Sequence, residues 1–467
     1  MTKEQIYLEI YVPIQFKNEI DWICSWLFGR VFNLEYFIKT HDLNIISISK
    51  DDKRLDLPCI FFERISKKWL SPEAVPQPIV NYWEYEWLDL KAKTGDFKLP
   101  ILFGEGNFNE TSKNNWELGV DIFGSCFFWL SRYEEAVIEE LDKHNRFSAH
   151  SSHSFNNGYL EQPIADYYAE LLFAAMRRIW SGIYFETDDY SFKISHDVDS
   201  PGLYSFRSPG QILRSGFADI FIRRDFRAAF LSPYVKLSSK RKISNLDPYN
   251  TFTWIMDCVE SADSTSIFYF LADSFDPDYD GDYRIYDPKI LQLMNEISRR
   301  GHQIGLHPSY TSGDHFNRMK GELQKLRKAI SKIGIKNPSI GSRMHYLKWS
   351  VHKTWTMLDK LNIEHDSSLG YADHIGFRAG TCHAYKAYSV TDRKVLDMEI
   401  QPLVVMEATL IDECYMGLGT DSSAFEKASE VRSSCRRVGG EFTLLWHNSR
   451  LVLEDERNLF RKLVETM

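Results

Sequence analysis

The chain has no pair of cysteines at the spacing of a metal site or a redox motif. Its seven cysteines, Cys24, Cys59, Cys126, Cys258, Cys382, Cys414 and Cys435, are scattered and odd in number. A disulfide framework and a thiolate zinc site are therefore not expected, and a reducing compartment is. No stretch reaches the roughly 18 apolar residues of a membrane span. The start, MTKEQIYLEIYVPIQF, has no basic segment leading into an apolar run and a cleavage site, so no signal peptide is expected. Positive charge is short as well. A net charge of -9 over 467 residues does not offer the basic face that a nucleic-acid backbone requires. Internal repeats and low-complexity tracts are missing too. The expectation is a cytoplasmic protein with no nucleic-acid partner and no transmembrane segment.

What is present is enough apolar and aromatic material for sizeable cores: 43% hydrophobic and 14% aromatic residues, against the composition of a disordered chain. The first part, residues 1–185, mixes short apolar runs with aromatic-rich loops. Residues 6–12, 44–49 and 59–65 read as strands from their branched and aromatic content. Residues 120–141 read as one long helix and 163–180 as a second, with Pro163 near its start and arginines near its end. This predicts a smaller α+β domain without an evident chemistry.

From Tyr190 the pattern changes. Strands are predicted at 191–195, 266–272, 302–307, 339–344, 362–367, 395–401 and 442–447, with helices at 288–300, 318–333 and 422–438, the last stopped by Gly439-Gly440. Alternation of this kind implies a mostly parallel α/β sheet, and seven strands suggest a barrel, complete or incomplete, over 190–467. A segment at 201–243 interrupts the rhythm. Within it Arg207, Arg214, Arg223, Arg224, Arg227, Lys236, Lys240, Arg241 and Lys242 face only Asp219 and Asp225. That basic insertion is expected to meet an anionic part of a substrate or a membrane surface, the plainer alternative being a solvated helical surface.

Chemically capable residues gather where the strands end. The endings are His196-Asp197-Val198-Asp199, His307-Pro308-Ser309-Tyr310, Arg343-Met344-His345-Tyr346, His365-Asp366-Ser367-Ser368 and Trp446-His447-Asn448. Reactive groups of parallel barrels sit at the C-terminal strand ends, so five such endings point to one site. The residue types suit metal-assisted hydrolysis. Two carboxylates one residue apart can divide between cation and base, imidazoles suit zinc or a similar ion, and a second histidine can protonate a leaving group. Each residue also has a plainer reading. Asp197 and Asp199 can cap a turn before Pro201, His307 and His447 can be satisfied core histidines, Arg343 can make a structural ion pair, Asp366 can cap a turn with Ser367 and Ser368, and Arg378 can be an ordinary loop arginine.

Five segments in this order resemble the motifs of the polysaccharide deacetylase family, carbohydrate esterase family 4: HDVD (196–199), GHQIGLHPSY (301–310), GSRMHYLKW (341–349), HDSS (365–368) and LLWHN (444–448). The resemblance spans about residues 190–455, and the region before it resembles an uncharacterised domain that precedes some bacterial deacetylases. It implies an irregular (β/α)7 barrel and a metal-dependent hydrolase that removes an N-acetyl group from an aminosugar, in surface-polysaccharide or glycan-precursor metabolism. It further implies Asp197 as general base oriented by Arg343, His447 as general acid with Asp366 as its partner, and Asp199 and His307 on a divalent ion, zinc being the expected metal. The backbone amide near Tyr346 would hold the oxyanion, and Tyr346, Arg378 and Trp446 are expected to contact the N-acetylated sugar.

Thr311 stands where the family's second motif has a further histidine. Of the nearby histidines, His302 would point to the opposite face of its strand and His315 lies beyond Pro308 and Gly313. His345, two residues after Arg343, can share that residue's side and is the candidate third ligand. Two rivals remain at this point: a non-catalytic carbohydrate-binding or scaffold protein on the same barrel, and amide or ester hydrolysis on a substrate that is not a sugar.

Overall fold

A computed structural model describes residues 7–466, apart from 80, 184–188, 219–225 and 337. The fold is mixed α/β. Its first sheet holds β1 (Tyr7–Pro13), β2 (Glu35–His41), β3 (Ile45–Lys50), β4 (Lys53–Pro58), β5 (Gly104–Ser112) and β6 (Asn115–Val120), in the order β2-β1-β3-β4-β6-β5. Helices at Ile122–Leu130 and Ile164–Ile179 contact one another beside it.

Two expectations for this part fail for physical reasons. The run CIFFERI is not a strand but ends in a short helix, Ile60–Ile65. There Phe61, Phe62 and Ile65 face inward at helical spacing, and the buried Asp121 carboxylate accepts the Phe61 amide at 2.8 Å. Tertiary packing has overridden β propensity. The long helix expected at 120–141 is two helices, Ile122–Leu130 and Tyr133–Val137, broken where Arg132 takes a left-handed backbone (φ 55°).

The second sheet carries β7 (Ser191–Val198), β8 (Ser266–Leu271), β9 (Gln303–His307), β13 (Val405–Met406) and β14 (Glu441–Leu445), all parallel, in the order β13-β14-β7-β8-β9. It continues through single parallel bridges, Leu306 to Ser342 and Ser342 to Asp366. These lead to β10 (His365–Asp366), then β12 (Lys394–Ile400), with β11 (Tyr385–Ser389) antiparallel on the edge. The strand expected at 339–344 is thus one bridged residue, and the one at 362–367 shrinks to two residues. Among the described residues β12 and β13 do not pair, so a closed barrel is not formed. The helix at Pro288–Arg299 shows how the outer layer is encoded. Pro288 starts it, Asp287 caps the Lys289 amide, and Ile290, Leu293, Met294 and Ile297 bury one face.

One apolar core runs continuously under both sheets, and buried charge ties the two regions together. Arg378 donates to both oxygens of Glu135, at 2.8 and 2.6 Å, while Arg132 donates to Glu135 at 2.8 Å and also to the Arg378 carbonyl. Burial opposes ionisation of Glu135, but Arg378 and Arg132 outweigh it and hold the carboxyl below its usual range. Removing one arginine would leave buried charge short of a partner, which costs several kcal/mol. Arg378→Ala is therefore expected to lower unfolding free energy by about 3 kcal/mol in urea titration; a loss under about 1 kcal/mol would contradict this.

Candidate metal centre

Asp197 lies near the end of β7 and Asp199 directly follows the strand, two residues apart and so on the same side. The alternate residue His196 turns into the core, where its Nδ1 lies 2.7 Å from the Trp446 carbonyl and burial pushes its pKa down to about 3. β9 ends in His307. The turn after the Ser342 bridge carries His345, and His447 follows β14. Residues at or just beyond the C-terminal ends of β14, β7, β9 and the Ser342 bridge thus converge.

Asp199 lies at the middle of the group. Its Oδ1 is 3.1 Å from His307 Nε2 and 3.5 Å from His345 Nε2, and its Oδ2 is 3.5 Å from His447 Nε2. Asp199, His307 and His345 each present one ligand atom within 4.8 Å of the others. The loop carrying Gly281 presses against this strand end: a Cβ on Gly281 would sit 2.1 Å from the Asp199 carbonyl oxygen.

The hydrogen bonding shows why this cluster fits a cation. His307 Nδ1 is 2.5 Å from the Arg343 carbonyl, a contact that places its proton on Nδ1 and leaves the Nε2 lone pair facing Asp199. His307 Nε2, Asp199 Oδ1 and Asp197 Oδ1 are all buried without a hydrogen-bond partner. Electron-rich atoms turned toward one another in this way fit a bound ion. His345 has the backing typical of a ligand histidine: its Nδ1 is 3.1 Å from Asp280. Asp280 in turn accepts from the amides of Phe275, Asp276 and Tyr310.

Beside this group Arg343 reaches to 3.9 Å from Asp197 Oδ1, donates to Ser367 Oγ at 2.9 Å, and lies over the Tyr269 ring. His447 Nδ1 is 2.5 Å from Glu407, a fully buried carboxylate at the start of the helix Glu407–Ile411. Burial opposes charge on His447, but Glu407, then Asp199, outweigh it and push the imidazole up to about 10. Burial likewise opposes charge on His345, while Asp199 and Asp280 push it up to about 9. Asp199 is held well below the usual carboxylate range because His345, His307 and His447 outweigh its burial.

Of the residues expected from sequence, Asp197, Asp199, His307, Arg343, His345 and His447 come together, with Tyr346 next to them. Three others make different contacts. Asp366 is fully buried and accepts from Ser342 Oγ, Ser368 Oγ and the Ser368 amide; the partner of His447 is Glu407 instead. Arg378 is buried against Glu135. Trp446 is buried, donates to the Arg450 carbonyl and packs on Phe460, on the outer side of its strand. Sequence reasoning missed Glu407 and Asp280. The first follows a strand of only two residues, and the second sits in a loop without periodicity. The other histidines near motif two are accounted for: His302 binds the Ser266 amide and Glu260, and His315 is exposed.

A second buried trio, Asp166, Cys382 and His383, also has metal-ligand types in reach. There Asp166 already accepts from Thr381 Oγ1, the Cys382 amide and thiol, and His383, and burial pushes the Cys382 thiol well up. That trio is saturated where the Asp199 cluster is not. In the basic insertion, Arg223 and Arg224 lie outside the described residues, and helices at Pro209–Ala218 and Phe226–Ser238 contact each other. No helix among the described residues is long and apolar enough to cross a membrane.

Residues 8–181 match a family model described as "Family of unknown function (DUF7033)". No curated protein matches the chain. Among solved structures, the chain is similar to a Mycobacterium smegmatis protein assigned as a polysaccharide deacetylase, at 15% identity, TM-score 0.39, over 62% of this chain and 85% of that one. It is also similar to Puue allantoinase, at 10% identity, TM-score 0.38, over 62% and 85%. A polysaccharide deacetylase from Bacillus cereus gives 11% identity and TM-score 0.27 over 59% and 84%.

The raised histidines make two linked expectations. In the unfolded chain a histidine titrates near about 6.5. Because folding raises His345 to about 9 and His447 to about 10, their stabilisation of the metal-free protein is complete below about pH 6.5 and is lost as pH rises through those values. A ligand imidazole must also be neutral. Zinc uptake at pH 7 is therefore expected to release protons and to strengthen as pH rises toward 9, as calorimetry in buffers of different ionisation enthalpy would show. An affinity flat across pH 6–9 would contradict it.

Proposed function

We propose that the chain is a metal-dependent hydrolase that removes an N-acetyl group from an aminosugar in surface-polysaccharide or glycan-precursor metabolism. The observation that carries this is the set of unpartnered atoms on Asp199 and His307 beside His345, flanked by a carboxylate with an arginine behind it and by a histidine with a carboxylate behind it. Asp199, His307 and His345 would hold the ion. When bound, a divalent ion, zinc being the expected one, supplies Lewis-acid polarisation of the acyl oxygen.

The remaining roles belong to the chain's own residues. Asp197, with Oδ1 unpartnered and Arg343 fixing its orientation, takes a proton from the attacking water. The Tyr346 backbone amide, directly after His345 in the chain, would meet developing negative charge on the acyl oxygen. His447 is protonated at neutral pH and gives its proton to the departing amine, and Glu407 keeps it charged and correctly turned. The amide thus gains one proton at nitrogen while the acyl carbon gains the hydroxyl, giving acetate and a free amino group.

Acetate release from a panel of N-acetylated nucleotide sugars and oligosaccharides tests the reading. The wild type is expected to release acetate, chelation to stop it, and His447→Ala to lower kcat by about 10²-fold or more. Absence of release by protein with verified bound metal would defeat the proposal. Glu407→Gln is a finer probe. It removes the main cause of the raised His447 pKa, so the alkaline limb of the kcat profile should move to lower pH by about 1–3 units. An unmoved limb would remove His447 from the role of acid.

A further inference from the structure

The region before the second sheet has a member inside the site. Residues 142–146 form a tight turn: the Asp142 carboxylate accepts from the amides of His144 and Arg146, at 2.8 and 2.9 Å, and from Arg146 Nε at 2.8 Å. The buried Arg146 then reaches across the chain and donates to the Tyr346 carbonyl at 2.8 Å. His144, in the same turn, is 3.0 Å from the Tyr310 hydroxyl through Nδ1, and its ring is 5.2 Å from that of Tyr346. Tyr310 stacks on Tyr279 at 4.2 Å, and both rings meet Tyr346 edge-on.

The residue so gripped is under backbone strain. Tyr346 has φ 61° and Leu347 φ 52°, two successive left-handed residues with side chains, directly after His345. Such conformations persist where the surroundings over-determine them. Here the His345 amide donates to the Pro308 carbonyl at 3.2 Å on one side, and Arg146 holds the Tyr346–Leu347 peptide on the other. We propose that the turn 142–146 is a positioning element of the catalytic site: Arg146 fixes Tyr346 in its left-handed conformation, and so sets the direction of the amide that meets the acyl oxygen. This gives the N-terminal region a task in the reaction and rests on the hydrolase reading above. Arg146 acts through Tyr346 and does not touch the substrate in this scheme.

The test uses the full chain with Arg146→Ala and Arg146→Lys, each checked for fold and zinc binding. Arg146→Ala is expected to lower kcat on the order of tenfold or more with KM and zinc affinity within about twofold, and Arg146→Lys to recover part of the loss. Unchanged kcat, or a loss of zinc affinity that parallels the loss of kcat, would overturn the proposal. Should Arg146→Ala not fold, Arg146→Gln takes the same measurements. If the wild type itself releases no acetate, the hydrolase reading fails separately. The positioning is then decided by a crystal structure of the variant, supported if Tyr346 leaves positive φ and overturned if it does not.

Discussion

Asp199 faces three imidazoles at the mouth of a parallel sheet, and the surrounding structure is arranged to keep them there. Burial alone would drive this carboxyl toward its neutral form. His345, His307 and His447 hold it ionised, and each of those rings is fixed from behind by an oxygen: Asp280 for His345, the Arg343 carbonyl for His307 and Glu407 for His447. The result is a close cluster of carboxylate oxygen and imidazole nitrogen. Three of its atoms, His307 Nε2, Asp199 Oδ1 and Asp197 Oδ1, have no hydrogen-bond partner. A charge balance of this kind is costly to maintain for packing alone, which separates it from the Asp166 trio, where every nearby donor is already matched.

The split between what sequence shows and what it hides follows from range. Asp197 and Asp199 were legible because they end a strand whose period places them on one face, and His307 and His447 because each ends an apolar strand. His345 was legible by its offset from Arg343. Glu407 was not, because Val405–Met406 is too short to show a period. Arg378 lies in a loop whose composition says nothing of Glu135, its partner 243 positions away. The strand–helix rhythm after Tyr190 predicted the parallel sheet, and Gly439 ended its helix in a left-handed cap, but closure could not be judged because pairing of the last strands depends on side chains and loops, not on period. CIFFERI misled for the same reason in reverse: its aromatic residues favour a strand locally and a helix once Asp121 and the neighbouring rings are in place.

The two regions share one core and a buried ionic network, so the N-terminal region is built into the rest of the fold. Its turn at 142–146 touches the strained residue beside His345, and its helix at Ile164–Ile179 supplies Asp166 to the saturated trio. A deacetylase chemistry confined to the parallel sheet would leave both contacts as packing. A site completed across the two regions would give the first of them a chemical consequence, while the second joins the regions through Asp166 and residues 381–383.

X-ray absorption of the zinc-loaded protein tests the central claim most directly, because the two candidate trios differ in ligand atoms. Binding at Asp199, His307 and His345 predicts imidazole scattering from two histidines and a first shell of nitrogen and oxygen at about 2.0–2.2 Å, without sulfur. A sulfur shell at about 2.3 Å would place the ion on Cys382, and a shell without histidine scattering would place it on neither; either result would contradict the account.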